Sequence, residues 1–260
     1  MDNRLKMRLF LISSAICIAS CATAQELNLG VHVNPILTTP FMDGASQADK
    51  RINVSKARIG ANIGLDANLV MGKWRLQTGA GLMHKSVSYY QRTNSNNVDA
   101  YAKDIVETIS VEVPMLVGYK LATQNRETYY HVYGVAGVSY EWNTLNGVSS
   151  KTGVRGSNGS AQLQSYDIGY VGDKSQWINI VAGMNINAIL RGVGLIDYGF
   201  TFHLPMGNAA GYTIASDVNT GGGTVNYRGT YYPRLAHIDF KLCYYFLSLR
   251  DGGIKRYSKV

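Results

Sequence analysis

Histidine, serine and carboxylate residues set what acid–base, nucleophilic or metal chemistry a chain can perform, and here they are sparse. Five histidines, His32, His84, His131, His203 and His237, match no compact ligand spacing such as H-E-x-x-H. No metal ligand set and no cofactor is expected, and the histidines read as structural. His84-Lys85-Ser86 sets a base two residues from a hydroxyl. That spacing puts both on one face of a strand, but a working nucleophile also needs an orienting carboxylate, and none lies close by in sequence. Gly221-Gly222-Gly223 has the flexibility of a phosphate cradle, yet no Lys-Ser/Thr follows and no helix opens after it. It reads as a loop tip. No catalytic residue is assigned.

The charged residues form a more coherent set. Arg58, Asp66, Arg75, Lys85, Glu112, Lys120, Glu141, Asp197, Asp239 and Lys241 all fall in the polar phase of apolar/polar alternations. The longest runs from Ala57 to Val70, where Ile59, Ala61, Ile63, Leu65, Ala67 and Leu69 interleave with Arg58, Gly60, Asn62, Gly64, Asp66 and Asn68. Period two over fourteen residues is a strand signal. It recurs from Leu27 to Asn34, Ile109 to Gly118, Ile178 to Asn187 and Ala236 to Tyr244, and in runs near 74–90, 127–142 and 195–206, making eight strands. Connections alternate between short ones, near 71–73, 122–126 and 191–193, and long ones, near 37–56, 91–104, 143–174 and 207–229. The segment from Ser149 to Ser160 reads as a Gly/Ser-rich mobile loop. This pattern predicts an all-β fold, an eight-stranded antiparallel up-and-down transmembrane β-barrel with short periplasmic turns, long extracellular loops and both termini in the periplasm. Trp74, Tyr119, Tyr130, Tyr140, Trp142, Tyr244 and Phe246 gather near strand ends on the apolar face, as membrane girdles do. A soluble barrel with an apolar lumen is the competing architecture.

An eight-stranded barrel has an interior just wide enough for side chains to fill. The ten charges are therefore expected to plug the lumen as structural pairs rather than line an open pore. Glu112, near mid-strand, is expected to pair with Lys85 on the neighbouring strand or with Lys241 across the lumen. His84 and Ser86 are expected to face outward near the outer rim.

Composition agrees with this architecture. Charged residues are 16% of the 260, with 28 Gly and 18 Tyr, against about 25% charged in ordinary soluble domains. The formal charge is +8, of which the first 24 residues carry Arg4, Lys6 and Arg8 against Asp2, leaving +6. No basic cluster has the density of a nucleic-acid footprint. Residues 1–24 read as a signal peptide: a charged start, an apolar stretch from Leu9 to Ala19, and Ala22-Thr23-Ala24 before a cleavage between Ala24 and Gln25. A rival processing site would leave a lipidated Cys21. Residues 25–247 then form the barrel, and 248–260 a short basic periplasmic tail. Cleavage after Ala24 removes Cys17 and Cys21 and leaves Cys243 without an internal partner. No later stretch has the 18 continuous apolar residues of a membrane helix.

The segment Ile109-Ser110-Val111-Glu112-Val113-Pro114-Met115-Leu116-Val117-Gly118-Tyr119-Lys120, followed by Tyr133-Gly134-Val135-Ala136-Gly137-Val138-Ser139-Tyr140, resembles the outer-membrane β-barrel domain of the PorT-like family of Bacteroidota. The likeness extends from Leu27 to Phe246, and its sharpest element is the Glu-x-Pro strand running by a hairpin into a Gly-x-x-Gly strand. It implies an eight-stranded barrel, some of whose relatives assist secretion across the outer membrane. The partners expected are outer-membrane lipid and lipopolysaccharide, together with envelope or secretion-system proteins. The function expected is non-enzymatic. A surface-binding, adhesin-like role for the long loops is the alternative. A small pore ranks lower, as does lipid A modification, since His84-Lys85-Ser86 is similar to the His-x-Ser pair of lipid A deacylases but its flanks depart from that pattern.

Overall fold

The computed structural model describes residues 26–42, 52–56, 58–95, 98–125, 129–156, 162–171, 176–190, 193–207, 211–219, 224–231, 233–250 and 253–255. Ala24 and Gln25, the two residues expected to flank the cleavage, lie outside them, as do Cys21 and residues 221–223.

Eight strands close into one antiparallel barrel: β1 Glu26–Met42, β2 Arg58–Met71, β3 Trp74–Ser95, β4 Val98–Asn125, β5 Tyr129–Gly156, β6 Gln176–Leu190, β7 Gly194–Pro205 and β8 Pro233–Arg250. Each pairs with the next, and β8 returns to β1 along a register from Glu26↔Arg250 to Met42↔Pro233. Closure leaves neither β1 nor β8 with an unpaired edge along that register. The tight connection from Met71 to Trp74 is the two-residue turn Gly72-Lys73, where φ of +62° at Gly72 suits a residue without Cβ. Lys120 N donates to Lys73 O across 2.8 Å, tying this turn to the next hairpin. The short β2–β3, β4–β5 and β6–β7 connections share one end with the start of β1 and the end of β8.

The alternation sorts side chains in the sense opposite to a water-soluble core. Among the described residues, 26 polar or charged side chains are buried against 13 hydrophobic ones, while 28 large hydrophobic side chains are exposed. On β2, Asn62, Asp66 and Asn68 point into the barrel and Ile59, Ile63 and Leu65 point out; on β7, Asp197, Thr201 and His203 point in and Tyr198, Phe200 and Phe202 point out. The apolar part of the interior is small: Leu195, Cys243 and Tyr245 pack together at the short-turn end, with Ile189 against them.

The long connections differ from expectation. The 91–104 region is not a loop, because β3 and β4 stay paired as far as Ser95↔Val98, and β5 follows β4 as far as Gly156. Within 143–174 lies the strand Gln162–Val171, and within 207–229 and two residues past it lie Gly211–Asn219 and Thr224–Tyr231; the three form a separate antiparallel sheet. These strands do alternate, as Val225, Tyr227 and Tyr231 do with Thr224, Asn226, Arg228 and Thr230, but their runs are short and set among Gly, Ser, Asn and Thr, which read as loop. A fourth short strand, Ile52–Lys56, pairs with β3 between Ser88 and Gln91. The tail also differs. β8 runs to Arg250, and Gly253–Lys255 turns back to pair with Ser248, Leu249 and Arg250, so the basic stretch begins inside the sheet. No helix among the described residues is long and apolar enough to cross a membrane.

Candidate functional site

The lumen holds the only dense collection of chemically capable groups among the described residues, arranged in three levels along the barrel axis. Nearest the short turns, Arg75 of β3 reaches Asp197 of β7, with Nη1–Oδ1 and Nη2–Oδ2 both at 3.1 Å. Its guanidinium lies 4.6 Å from the centre of the Tyr133 ring. Lys241 of β8 sits between two carboxylates, 2.6 Å from Asp66 Oδ2 and 3.4 Å from Asp197 Oδ2. Tyr245 donates its hydroxyl to Asp197 at 3.3 Å and accepts from Asn68. Two cations thus face two carboxylates in a buried arrangement, bidentate between Arg75 and Asp197, the geometry in which buried pairs recover their desolvation cost.

His32 links this level to the next. Its Nδ1 is 3.1 Å from Asp66 and its Nε2 3.3 Å from the Asn62 carbonyl oxygen, and Asn62 Nδ2 donates to Glu112 at 2.9 Å. Gly81 makes this possible: a Cβ there would lie 2.1 Å from Asn62 Oδ1 and 3.0 Å from His32 Nε2. At the middle level, Glu112 Oε1 lies 3.0 Å from His203 Nδ1. His203 stacks on His237 with ring centres 4.4 Å apart, following their direct pairing between β7 and β8, and its Nε2 is 2.9 Å from Thr201 Oγ1. Asp239 Oδ1 is 3.7 Å from His237 Nε2. Ligand atoms of Glu112, His203 and His237 all fall within 4.8 Å of one another, so among the described residues these three form the group able to hold a metal ion. A cavity of about 30 Å³ adjoins them, lined by Glu112, His203, Asp239 and Lys241 among others; that is room for a water or two.

At the upper level, Lys85 of β3 meets Glu141 of β5 across 2.5 Å, both side chains being 0% exposed. Glu141 also accepts from Ser110 Oγ (2.8 Å), Trp177 Nε1 (2.9 Å) and Asn179 Nδ2 (3.2 Å).

Of the ten charges taken from the alternation, Asp66, Arg75, Lys85, Glu112, Glu141, Asp197, Asp239 and Lys241 are buried in the lumen, whereas Arg58 and Lys120 are only half-buried. Lys120 lies at the short-turn end, its Nζ 5.9 Å from the Tyr133 ring. The processing pair of Ala24 and Gln25 is outside the described residues, and the first strand begins at Glu26, directly after Gln25. The expected partner of Glu112 needs correcting: neither Lys85 nor Lys241 takes it. The β3–β4 register sets Gly81, not Lys85, opposite Glu112. Lys85 lies four positions away, about 13 Å along the strand at roughly 3.3 Å per residue, and is captured by Glu141, while Lys241 is captured by Asp66. His203 pairs with Glu112 instead, and its inward phase follows from Asp197 and Thr201, which precede it on the same strand by an even number of residues. Trp177, Tyr133 and Tyr245 also face inward and were missed because aromatic residues on the polar phase break the simple rule.

The outward pair also needs correcting. His84 is half-exposed, 4.0 Å from Glu107, which is beyond hydrogen-bond reach. Ser86 is 4% exposed rather than outward-facing. It sits where β3 changes partner from β2, which ends its pairing at Ala61↔His84, to the Ile52–Lys56 strand, which begins at Ser88. The β3–β4 register runs unbroken through this point, from Lys85↔Thr108 to Ser86↔Glu107, and both Lys85 and Ser86 are buried.

Fold and site together define a closed eight-stranded β-barrel with a polar, ion-paired interior and an apolar exterior. No protein-family model matches the chain, and no curated protein matches it in sequence.

Proposed function

We propose that the chain is a transmembrane barrel of a bacterial outer membrane with a plugged lumen, acting through contacts with envelope or secretion proteins rather than by catalysis or transport. The observation that carries this reading is the inversion of burial: 28 large hydrophobic side chains outside and 26 polar ones inside. In water such an exterior would far exceed the few hundred Å² of contiguous apolar surface that monomeric proteins tolerate, and a soluble lipid carrier would turn its apolar face inward. A bilayer solvates this face without penalty.

The aromatic positions supply a length scale. Trp74 and Tyr119 meet edge-to-face at 4.9 Å at the short-turn end, with Phe246 exposed at the same end, while Tyr140 and Trp142 mark the other. Along β5, residues 130 and 142 are separated by ~40 Å at ~3.3 Å per residue, or ~30 Å along the axis at a tilt of ~40°. The hydrocarbon core of a bilayer is about 30 Å thick. Both chain ends would lie in the periplasm and the long hairpins outside the cell. The likeness of residues 109–120 and 133–140 to the PorT-like family supports the same setting and favours secretion-linked partners.

Cell fractionation with gel analysis tests the reading. The protein should sediment with outer membranes and migrate faster unheated than boiled, and mild cross-linking should recover a reproducible envelope partner. Recovery in the soluble periplasm, with no heat-dependent shift, would overturn it. One observation favours a second reading, surface binding: the Gln162–Val171, Gly211–Asn219 and Thr224–Tyr231 strands make a folded sheet beyond the barrel. Deleting that sheet should abolish binding to a surface ligand yet leave the heat-modifiable band.

A further inference from the structure

We propose that Glu112, His203 and His237 bind one divalent transition-metal ion inside the barrel, a site independent of the membrane setting. Three observations converge on it. The first is charge. The buried fixed charges among the described residues are three cations, Arg75, Lys85 and Lys241, and five carboxylates, Asp66, Glu112, Glu141, Asp197 and Asp239. Arg75 and Lys241 balance Asp66 and Asp197, and Lys85 balances Glu141. The excess of two negative charges therefore falls on Glu112 and Asp239, whose nearest positive partners could only be the stacked His203 and His237. A buried carboxylate without a countercharge is costly, and one dication offsets both.

The second observation is the state of the donor atoms. His237 is 0% exposed, yet neither ring nitrogen has a side-chain hydrogen-bond partner among the described residues, and Asp239 Oδ1 lacks one as well. Buried polar atoms are nearly always satisfied, so three such atoms in one cluster point to a missing partner. The third is geometry. Glu112 Oε1 and His203 Nδ1 approach to 3.0 Å. Ligand atoms each ~2.0–2.1 Å from a common ion, at angles of ~90–110°, are ~2.9–3.4 Å apart. The 4.8 Å limit on the whole set requires only a small inward movement of His237. Thr201 holds the other nitrogen of His203, the outer-shell contact that orients a ligating imidazole. The neighbouring cavity accommodates a bound water as a further ligand.

Two imidazoles and one carboxylate select a borderline ion such as Zn(II) or Co(II) over Mg(II) or Ca(II), which prefer all-oxygen sites. The ion would act as a staple, joining β4, β7 and β8 through the lumen.

The test uses the full-length mature barrel folded in detergent micelles, stripped with chelator and titrated with Zn(II) or Co(II). One equivalent of Zn(II) should bind by elemental analysis, Co(II) should give the visible bands of a low-symmetry nitrogen–oxygen site, and Mg(II) at equal concentration should not compete. His237→Ala and Glu112→Gln should weaken binding by more than the roughly 10–100-fold that follows loss of an outer-shell partner. His131→Ala, remote from the cluster, should leave it unchanged. The heat-dependent gel shift shows whether each variant is folded. If a variant does not fold, Co(II)-induced shifts of histidine ring resonances in the wild type decide the matter: they should mark two buried imidazoles. Folded wild type that takes up no stoichiometric Zn(II) or Co(II), or folded His237→Ala and Glu112→Gln that bind as the wild type does, would overturn the assignment.

Discussion

Replacing Lys85 by Met gives the sharpest measure of how much the lumenal pairs hold. Met preserves most of the aliphatic stem and its packing near Trp177, whose ring lies 5.2 Å from Lys85 Nζ, but removes the cation 2.5 Å from Glu141. Deleting one member of a buried pair costs about 3–5 kcal/mol. Glu141 keeps its hydrogen bonds from Ser110, Trp177 and Asn179, which soften the loss, so Lys85→Met should cost about 3 kcal/mol. Glu141→Gln should cost more, roughly 4–5 kcal/mol, because the stranded ammonium has no comparable set of acceptors. The double variant replaces both charges by neutral groups of similar size, a change that is often close to neutral. It should recover at least about 2 kcal/mol of the summed single losses, the coupling expected of groups in direct contact. Equilibrium urea unfolding in lipid vesicles, following the heat-modifiable folded band, reads all three. Additive single losses, within about 0.5 kcal/mol, would refute the pair. Lys85→Met combined with Glu112→Gln provides a control for partner choice and should show far less recovery.

Arg75→Met and Lys241→Met should each leave a foldable barrel, since Asp197 retains the other cation, but the double variant strands Asp66 and Asp197 together and should eliminate the folded band on unheated gels. Phe200→Arg, at an exposed mid-barrel position, should cost about 2–4 kcal/mol in vesicle unfolding, against about 0–1 kcal/mol for Trp142→Arg near the rim; equal costs would argue against a bilayer around the waist. Gly81→Leu would drive a side chain into Asn62 and His32, and should reduce the folded fraction in refolding trials far more than Thr78→Leu on the exposed face. The barrel reconstituted in planar bilayers should pass no steady current, and a stable open conductance would contradict a plugged lumen.

The fold was legible because its signal is local and repeated. Asp66 between Leu65 and Ala67, or Asp197 between Ile196 and Tyr198, declares the phase of its own strand, and eight such strands of even number admit few arrangements besides a closed barrel. The hairpin extensions were not legible, since residues 92–95 and 98–101 pair through their backbones without an apolar phase. Site residues were legible one at a time but not in combination. Parity places Glu112, His203 and His237 inside, yet strand β4 faces β7 and β8 across the lumen rather than beside them, and nothing in local spacing records which level of one wall meets which level of the other. That depends on the stagger of the whole barrel. Ser86 is a different case: it is buried beside Lys85 on an unbroken β3–β4 register, and the alternation leaves no mark of that.

The lumenal pairs also bear on register. The exterior is built of interchangeable apolar residues, and lipid-like surroundings would not distinguish one exposed Leu, Ile or Phe from another. Several strands carry glycine on the inward phase, as at Gly60 and Gly64 of β2 or Gly79 and Gly81 of β3, and such strands are prone to slip. Slipping β8 by one residue would turn Lys241 and Asp239 outward and bring Phe240 and Leu242 in, severing Lys241 from Asp66 and Asp197 at once. Slipping by two keeps the phase, but moves Lys241 about 7 Å along the strand at ~3.4 Å per residue, beyond reach of both carboxylates. Each level joins strands that are not neighbours in the sheet: β3 with β7, β2 with β8, β4 with β7 and β3 with β5. The apolar exterior thus accounts for where the barrel can reside, while the charged interior accounts for which of the many similar closed pairings is formed.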